Sequence, residues 1–199
     1  MAKLYFRHGT MNSAKTLNLL AVAHNYRAQG KKVLLLKPKL DDRFGAREIS
    51  SRAGVKMEAD ALVEGDSVLD RSLFLGLDCV LVDEAQFLSP FVVEQLREIT
   101  HTHRIPVICY GLRTDFRTRL FDGSRRLLEL ADSVEEVKVT CQYCNKKAIL
   151  NMRIVDGHPT LDGAQVQLGA EESYVPVCFG CFDARLPMAE VRARVRPSS

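Results

Sequence analysis

Near the amino end, Gly9, Thr10, Met11, Asn12, Ser13, Ala14, Lys15 and Thr16 have the types and spacing to hold a chain of phosphates. In such a turn the backbone N–H groups and the start of the following helix point at anionic oxygens. Lys15 would reach the β- and γ-phosphates, and the Thr16 hydroxyl would hold Mg²⁺. An ordinary strand-to-helix turn with a chance Lys-Thr fits the same residues. The second glycine of the usual pattern is Ala14 here. If the turn needs a positive φ there, alanine costs roughly 1–2 kcal/mol. If Ala14 already lies in the first helical turn it costs almost nothing, and the sequence leaves both open.

Three further constellations carry chemistry. The apolar run Cys79–Val82 ends in Asp83-Glu84-Ala85-Gln86-Phe87. An Asp at that strand end can hold the hydration shell of Mg²⁺, and the following Glu can take a proton. Two acids capping a strand fit as well. Leu112–Phe121 brings Arg113, Asp115, Phe116, Arg117, Arg119 and Phe121 into one loop, suited to a flat ring and an anion, or to pinning the loop to the core. Cys141-x-x-Cys144 and Cys178-x-x-Cys181 are two knuckles whose four thiolates suit tetrahedral, closed, structural Zn²⁺. Redox pairs are the weaker reading, because neither sits at a strand-to-helix junction. Cys79 and Cys109 lie singly in apolar runs and read as buried thiols.

The elements that position these residues alternate. Leu4–Phe6 reads as a strand and Lys15–Gln29 as a helix, its stripe Leu17, Leu20, Ala21, His24 and Ala28, ended by Gly30. Val33–Leu36 is a strand covered on both faces, stopped by Pro38. Lys39–Gly54 reads as a charged loop and Asp66–Leu75 as a short helix. Ser89-Pro90 starts a helix that runs to about His101. Pro106–Tyr110 is a strand, Ser124–Ala131 a helix and Val134–Val139 a last strand. This is an α/β fold, a mainly parallel sheet with helices on both faces. After Val139 a small zinc ribbon follows, with short strands at Ala148–Val155 and Gln165–Leu168. Its excursion, with Gly157, Gly163, Gly169 and Tyr174, suits a loop that closes over something, or a flexible hairpin tip. We expect a body over 1–138, a zinc-binding lasso over 139–186 and a flexible tail over 187–199.

Composition narrows the classes. The net charge of +3 is too mild to argue for nucleic acid. No apolar run approaches the roughly 20 residues of a membrane span. The first strand begins at once, which leaves no room for a signal peptide, so a cytoplasmic protein is expected.

Taken together, several stretches resemble one family, the zinc-containing (type II) thymidine kinases. They are Met11–Thr16, Asp41–Gly45, Val82–Phe87, Tyr110–Arg117, the paired C-x-x-C and Tyr174, in the family's order. The resemblance implies transfer of the γ-phosphate of ATP to the 5′-hydroxyl of thymidine, with Mg²⁺ for the reaction and Zn²⁺ for structure. It assigns ATP binding to Gly9–Thr16, to Asp41, Asp42 and Arg43, and to Asp83, Glu84, Ala85 and Gln86. Glu84 matches the general base and Phe116 the aromatic stacked on thymine, with Phe121 completing the wall. Gln165, Val166, Gln167, Leu168, Gly169 and Tyr174 match the lasso that grips the base. A homotetramer is the family's common state. Three other readings stay open: a P-loop ATPase whose ribbon binds nucleic acid, a non-catalytic nucleotide sensor, and a kinase of deoxyuridine or deoxycytidine.

Overall fold

A computed structural model describes residues 1–41, 45, 47–165 and 173–195. The first body is built on a sheet of six parallel strands, in the order β5-β2-β6-β7-β1-β8. These are β1 (Leu4–His8), β2 (Val33–Pro38), β5 (Ala61–Val63), β6 (Cys79–Val82), β7 (Val107–Gly111) and β8 (Ser133–Glu136). The central strands are apolar throughout because each serves two cores. Leu34, Leu36, Val80, Val82, Val107 and Cys109 face α2 (Pro90–Thr102) and α3 (Asp122–Leu130). Val33, Leu35, Cys79, Leu81, Ile108 and Tyr110 face α1 (Lys15–Ala28). The period of two sends alternate residues to opposite faces, and both are covered. Ser89 caps α2 as its spacing predicts, its hydroxyl accepting from the Val92 N–H at 3.3 Å.

The chain between β2 and β6 differs from expectation. The polar loop contains a hairpin, β3 (Glu48–Ser50) with β4 (Lys56–Glu58), and then the short edge strand β5. Three-residue strands carry too little alternation to read. The helix expected over Asp66–Leu75 is only a 3₁₀ turn, Arg71–Phe74. Gln95 of α2 explains why: its side chain accepts from the Leu69 N–H at 2.8 Å and donates to the Ser67 carbonyl at 3.0 Å, holding that stretch extended. The buried face of α1 is Lys15, Leu19, Leu20 and Ala23, and His24 is exposed.

The second body is an antiparallel sheet, β10-β9-β11, of β9 (Leu150–Val155), β10 (His158–Thr160) and β11 (Ser173–Val177). It has its own core around Met152, Val177 and Phe182. The strand expected at Gln165–Leu168 is not formed at Gln165, and Val166–Gly169 lie outside the described residues. Of the tail expected over 187–199, residues 187–195 are described. After α4 (Phe179–Asp183) comes α5 (Met188–Val195), with Leu186 and Val191 buried in the second core. Its arginines hid the apolar positions that dock it.

Candidate active site

The carboxyl ends of β1, β2, β6 and β7 open on one edge of the sheet, where a parallel α/β fold binds ligands. β1 feeds the phosphate loop. Gly9 must be glycine: a Cβ there would lie 2.5 Å from the Val137 carbonyl and also strike Ser13. Asn12 and Ala14 both take the left-handed conformation, with φ of 63° and 61°. Asn tolerates it, whereas Ala14 carries the full strain. The first of the two alternatives for Ala14 is therefore the one realised. The Lys15 ammonium lies inside the turn, donating to the Thr10 carbonyl at 2.7 Å and to Ser13 Oγ at 3.3 Å. Thr10 Oγ1 is buried with no hydrogen-bond partner among the described residues, a free polar group on the loop.

We expect Ala14→Gly to stabilise the chain by about 1 kcal/mol, as the left-handed strain is released. The stability should be read by urea denaturation at unchanged slope. Turnover should hold or rise, and a large loss would show that the loop is shaped otherwise.

Thr16 Oγ1 donates toward Asp83 at the end of β6, 3.2 Å from each carboxylate oxygen. This hydroxyl–carboxylate pair is a hard-oxygen set that fits Mg²⁺. Asp83 is buried, and burial first, then the Glu84 charge beside it, pushes its pKa well above the usual carboxylate range. A cation would relieve both. Glu84 stands in the left-handed region at φ 48°, turning its side chain off the strand end before the 3₁₀ turn Ala85–Phe87. Such strain in a non-glycine residue is held only where surrounding contacts fix it. Gln86 supplies one, donating to the Glu84 carboxylate at 2.5 Å while its carbonyl oxygen accepts from the Leu112 N–H at 2.9 Å. The residue assigned by resemblance to ATP thus fastens Glu84 to the loop after β7.

Asp41 is buried against Lys37, 3.4 Å from its ammonium. Lys37 also donates to the Glu48 carbonyl at 2.8 Å and the Gly45 carbonyl at 3.3 Å, so one buried lysine ties both sides of the segment after β2. Asp42 and Arg43 lie outside the described residues. Arg52, in the turn between β3 and β4, donates to the Asn12 side chain, which brings a second cation onto the phosphate loop. In the sequence it was only one charge in a charged loop.

The other wall comes from the loop after β7 and from the second body. Asp115 shapes that loop, accepting from the Arg117 and Arg119 N–H groups at 2.9 and 2.8 Å. Phe116 is 1% exposed and lies 6.2 Å from the Tyr174 ring, 58 residues on. Arg117 and Arg153 both lie over its ring, at 5.1 and 5.2 Å from the centroid. Gln165 donates to Asp115 Oδ2 at 3.0 Å. Phe121 packs edge-on against Phe87 at 5.8 Å, just past the acidic pair. Asn151 of β9 joins the bodies: its carbonyl oxygen accepts from the Met11 N–H at 2.7 Å, and its amide donates to the Thr114 carbonyl at 3.3 Å. Neither Asn151 nor Arg153 carries a sequence signal beyond its strand.

The four cysteines converge because β9 and β11 are paired, with Val177 opposite Leu150. The four Sγ atoms all lie within 4.8 Å of one another, with Cys144 3.6 Å from Cys178 and 3.7 Å from Cys181. Tetrahedral Zn–S bonds of about 2.3 Å put sulfurs about 3.8 Å apart, so the cluster fits that ion. Backbone N–H groups of Tyr143 and Cys181 donate to Cys141 and Cys178 Sγ at 3.4 Å, turning each knuckle. Gly180 lies in open space inside α4, so the turn does not depend on it.

Comparison with known proteins adds to this geometry. The family model described as thymidine kinase matches residues 2–182. The thymidine kinase of Lactococcus lactis subsp. lactis (strain IL1403) is 49% identical over 180 residues, 89% of this chain and 95% of the relative. The thymidine kinase of Lactiplantibacillus plantarum (strain ATCC BAA-793 / NCIMB 8826 / WCFS1) is 47% identical, over 89% of this chain and 94% of its own. That of Streptococcus gordonii (strain Challis / ATCC 35105 / BCRC 15272 / CH1 / DL1 / V288) is 45% identical over the same shares. Among the described residues no helix is long and apolar enough to cross a membrane.

Proposed function

The chain belongs to the thymidine kinase family, and we propose that it transfers the γ-phosphate of ATP to the 5′-hydroxyl of thymidine, giving dTMP and ADP. The observation that carries the reading is the meeting of Thr16 with Asp83, which joins a phosphate loop to an acidic strand end whose next residue is Glu84. Phosphoryl transfer needs positioned phosphates, neutralised charge and an oriented nucleophile rather than covalent help from the protein. The loop Gly9–Thr16 cradles the triphosphate, and Lys15 turns from its loop oxygens to the β- and γ-phosphates. Thr16 and Asp83 are the residues that would hold Mg²⁺, and the ion would supply charge neutralisation on the phosphate oxygens. Glu84 accepts the proton of the 5′-hydroxyl as that oxygen bonds to the γ-phosphorus and the bond to the β–γ bridging oxygen breaks. Gln86 aims Glu84 rather than meeting ATP. Arg52 adds charge beside the loop, and Asp41, set by Lys37, faces the same arm.

Tyr174, Phe121 and the Phe116 loop form the base wall. Phe116, buried with two guanidinium groups over its ring, belongs to this wall, and the resemblance assigns it the stack on thymine. Cys141, Cys144, Cys178 and Cys181 are the residues that would hold a structural Zn²⁺, which would join the ends of the second body. We read two bodies, 1–138 and 139–186, with α5 belonging to the second. Resemblance to the family also supports a cytoplasmic homotetramer. The test is a panel of nucleosides with ATP and Mg²⁺, scored for monophosphate product. Thymidine should give dTMP with ADP in equal amount, and deoxyuridine and deoxycytidine set the base selectivity. No monophosphate from any nucleoside would sink the reading.

A further inference from the structure

We propose that Arg117 and Arg153 are positioning residues for the nucleoside, a pair of clasps that fixes the base wall by fastening Leu161–Gly163 to the Phe116 loop. The inference rests on the reading that this wall receives the base. Arg117 Nε donates to the Leu161 carbonyl at 3.1 Å, and its Nη2 donates to the Gly163 carbonyl. Arg153, from β9, donates to the Asp162 carbonyl lying between those two. Three consecutive carbonyls are thus taken by two guanidinium groups from different bodies. Both groups also lie over the same ring, Phe116, whose π-face attracts cations. Gly163 fits this arrangement: it stands at φ 108°, and a Cβ there would strike the Arg153 guanidinium. Asp115, whose carboxylate shapes the Phe116 loop, receives Gln165 from just beyond the same segment.

The chemistry separates these arginines from the phosphate arm. Arg153 is only 4% exposed, and a charge that deep is kept only where hydrogen bonds and counter-dipoles meet it. The Asp162 carbonyl and the Phe116 ring meet it here, so the guanidinium joins two segments. A flat fork with several donors can bridge adjacent carbonyls while lying on an aromatic face, which an ammonium cannot do. Because the contacts go to backbone oxygens, they set the position of the wall and not the identity of the base.

The test is steady-state kinetics of Arg117→Met and Arg153→Met in the metal-loaded chain. The KM for thymidine should rise about tenfold or more, with kcat at saturating thymidine and the KM for ATP within about twofold, the pattern of lost binding rather than lost chemistry. The penalty should be the same for deoxyuridine as for thymidine. Arg117→Lys and Arg153→Lys, which keep a cation over the ring and one donor, should recover part of the loss. Should a Met variant fail to fold with its metal, the matching Lys variant decides, with a thymidine KM raised about threefold expected. An unchanged thymidine KM, or equal losses against thymidine and ATP, overturns the clasp while leaving the kinase reading intact. Wild-type protein that makes no dTMP overturns both.

Discussion

Glu84→Gln is expected to fold, to bind ATP as the parent does, and to lose turnover by about 10²–10⁴-fold, the usual worth of a positioned general base. The substitution is gentle in structure. Gln keeps the length of the side chain, and its carbonyl oxygen can still accept the bond from the Gln86 amide. The left-handed backbone at φ 48° is as tolerable for Gln as for Glu. What disappears is the capacity to take a proton from the attacking alcohol. The phosphate arm, Lys15 and Thr16 with Asp83, is left in place. Calorimetric titration with ATP and product formation from thymidine separate the two functions. A kcat within about threefold of the parent would remove Glu84 from the base role. Loss of ATP binding would mean instead that Glu84 belongs to the phosphate arm.

Keeping metal from the four-cysteine cluster should have an effect of similar size at the other end of the site. Its expected result is loss of thymidine binding with ATP binding retained. The second body is a sheet of three strands with a small core around Met152, Val177 and Phe182. A core of that size does not order so long a chain unaided, and structural Zn²⁺ in comparable small modules contributes about 10–16 kcal/mol. Without it β9 and β11 lose the link between their ends. Arg153, Asn151 and Tyr174 then lose their places, since all three project from those strands. The first body keeps its own two cores and the phosphate loop. Chelation, or Cys178→Ser, should therefore leave zinc near zero by elemental analysis and raise the thymidine KM by about 10²-fold or more. ATP binding should persist, weakened only by the loss of Asn151 as acceptor for the Met11 N–H. A metal-free protein with the parent's thymidine KM would show that the cysteine cluster does not support the base wall.

The parts of this molecule that were legible in the sequence are those where one strong local pattern decides the structure. Cys79–Val82 reads as a doubly covered strand because both faces of the sheet are apolar. Ser89-Pro90 reads as a helix start because the cap and the missing N–H act within one turn. The cysteine knuckles are legible because the metal's donor set is written in residue type. Ala14 was not legible, since the same residue suits a helix start and, at a cost, a left-handed turn. Its φ is set by the need to close the loop around Lys15. The hairpin β3–β4 was hidden by charged residues on short strands, and the edge strand β5 by its length of three residues. The 3₁₀ turn at Arg71–Phe74 was hidden by Gln95, whose hydrogen bonds come from a distant helix. α5 was masked by arginines around two docking residues. Arg153 was invisible for a different reason. A guanidinium that bonds to carbonyls and a ring needs no partner of special type, so nothing in the sequence marks it.

Asn151 gives the two bodies a common pivot. Its one amide group receives the Met11 N–H on one side and reaches the Thr114 carbonyl on the other, so the triphosphate grip and the nucleoside wall share a fastening. Any shift of β9 on engaging a nucleoside must either strip a backbone amide of its acceptor or drag the amino-terminal turn along. Dragging keeps that hydrogen bond, whereas stripping it leaves a part-buried donor unpaired. On this reading, the arrival of one substrate would set the posture in which the other is received, through the two bonds of Asn151.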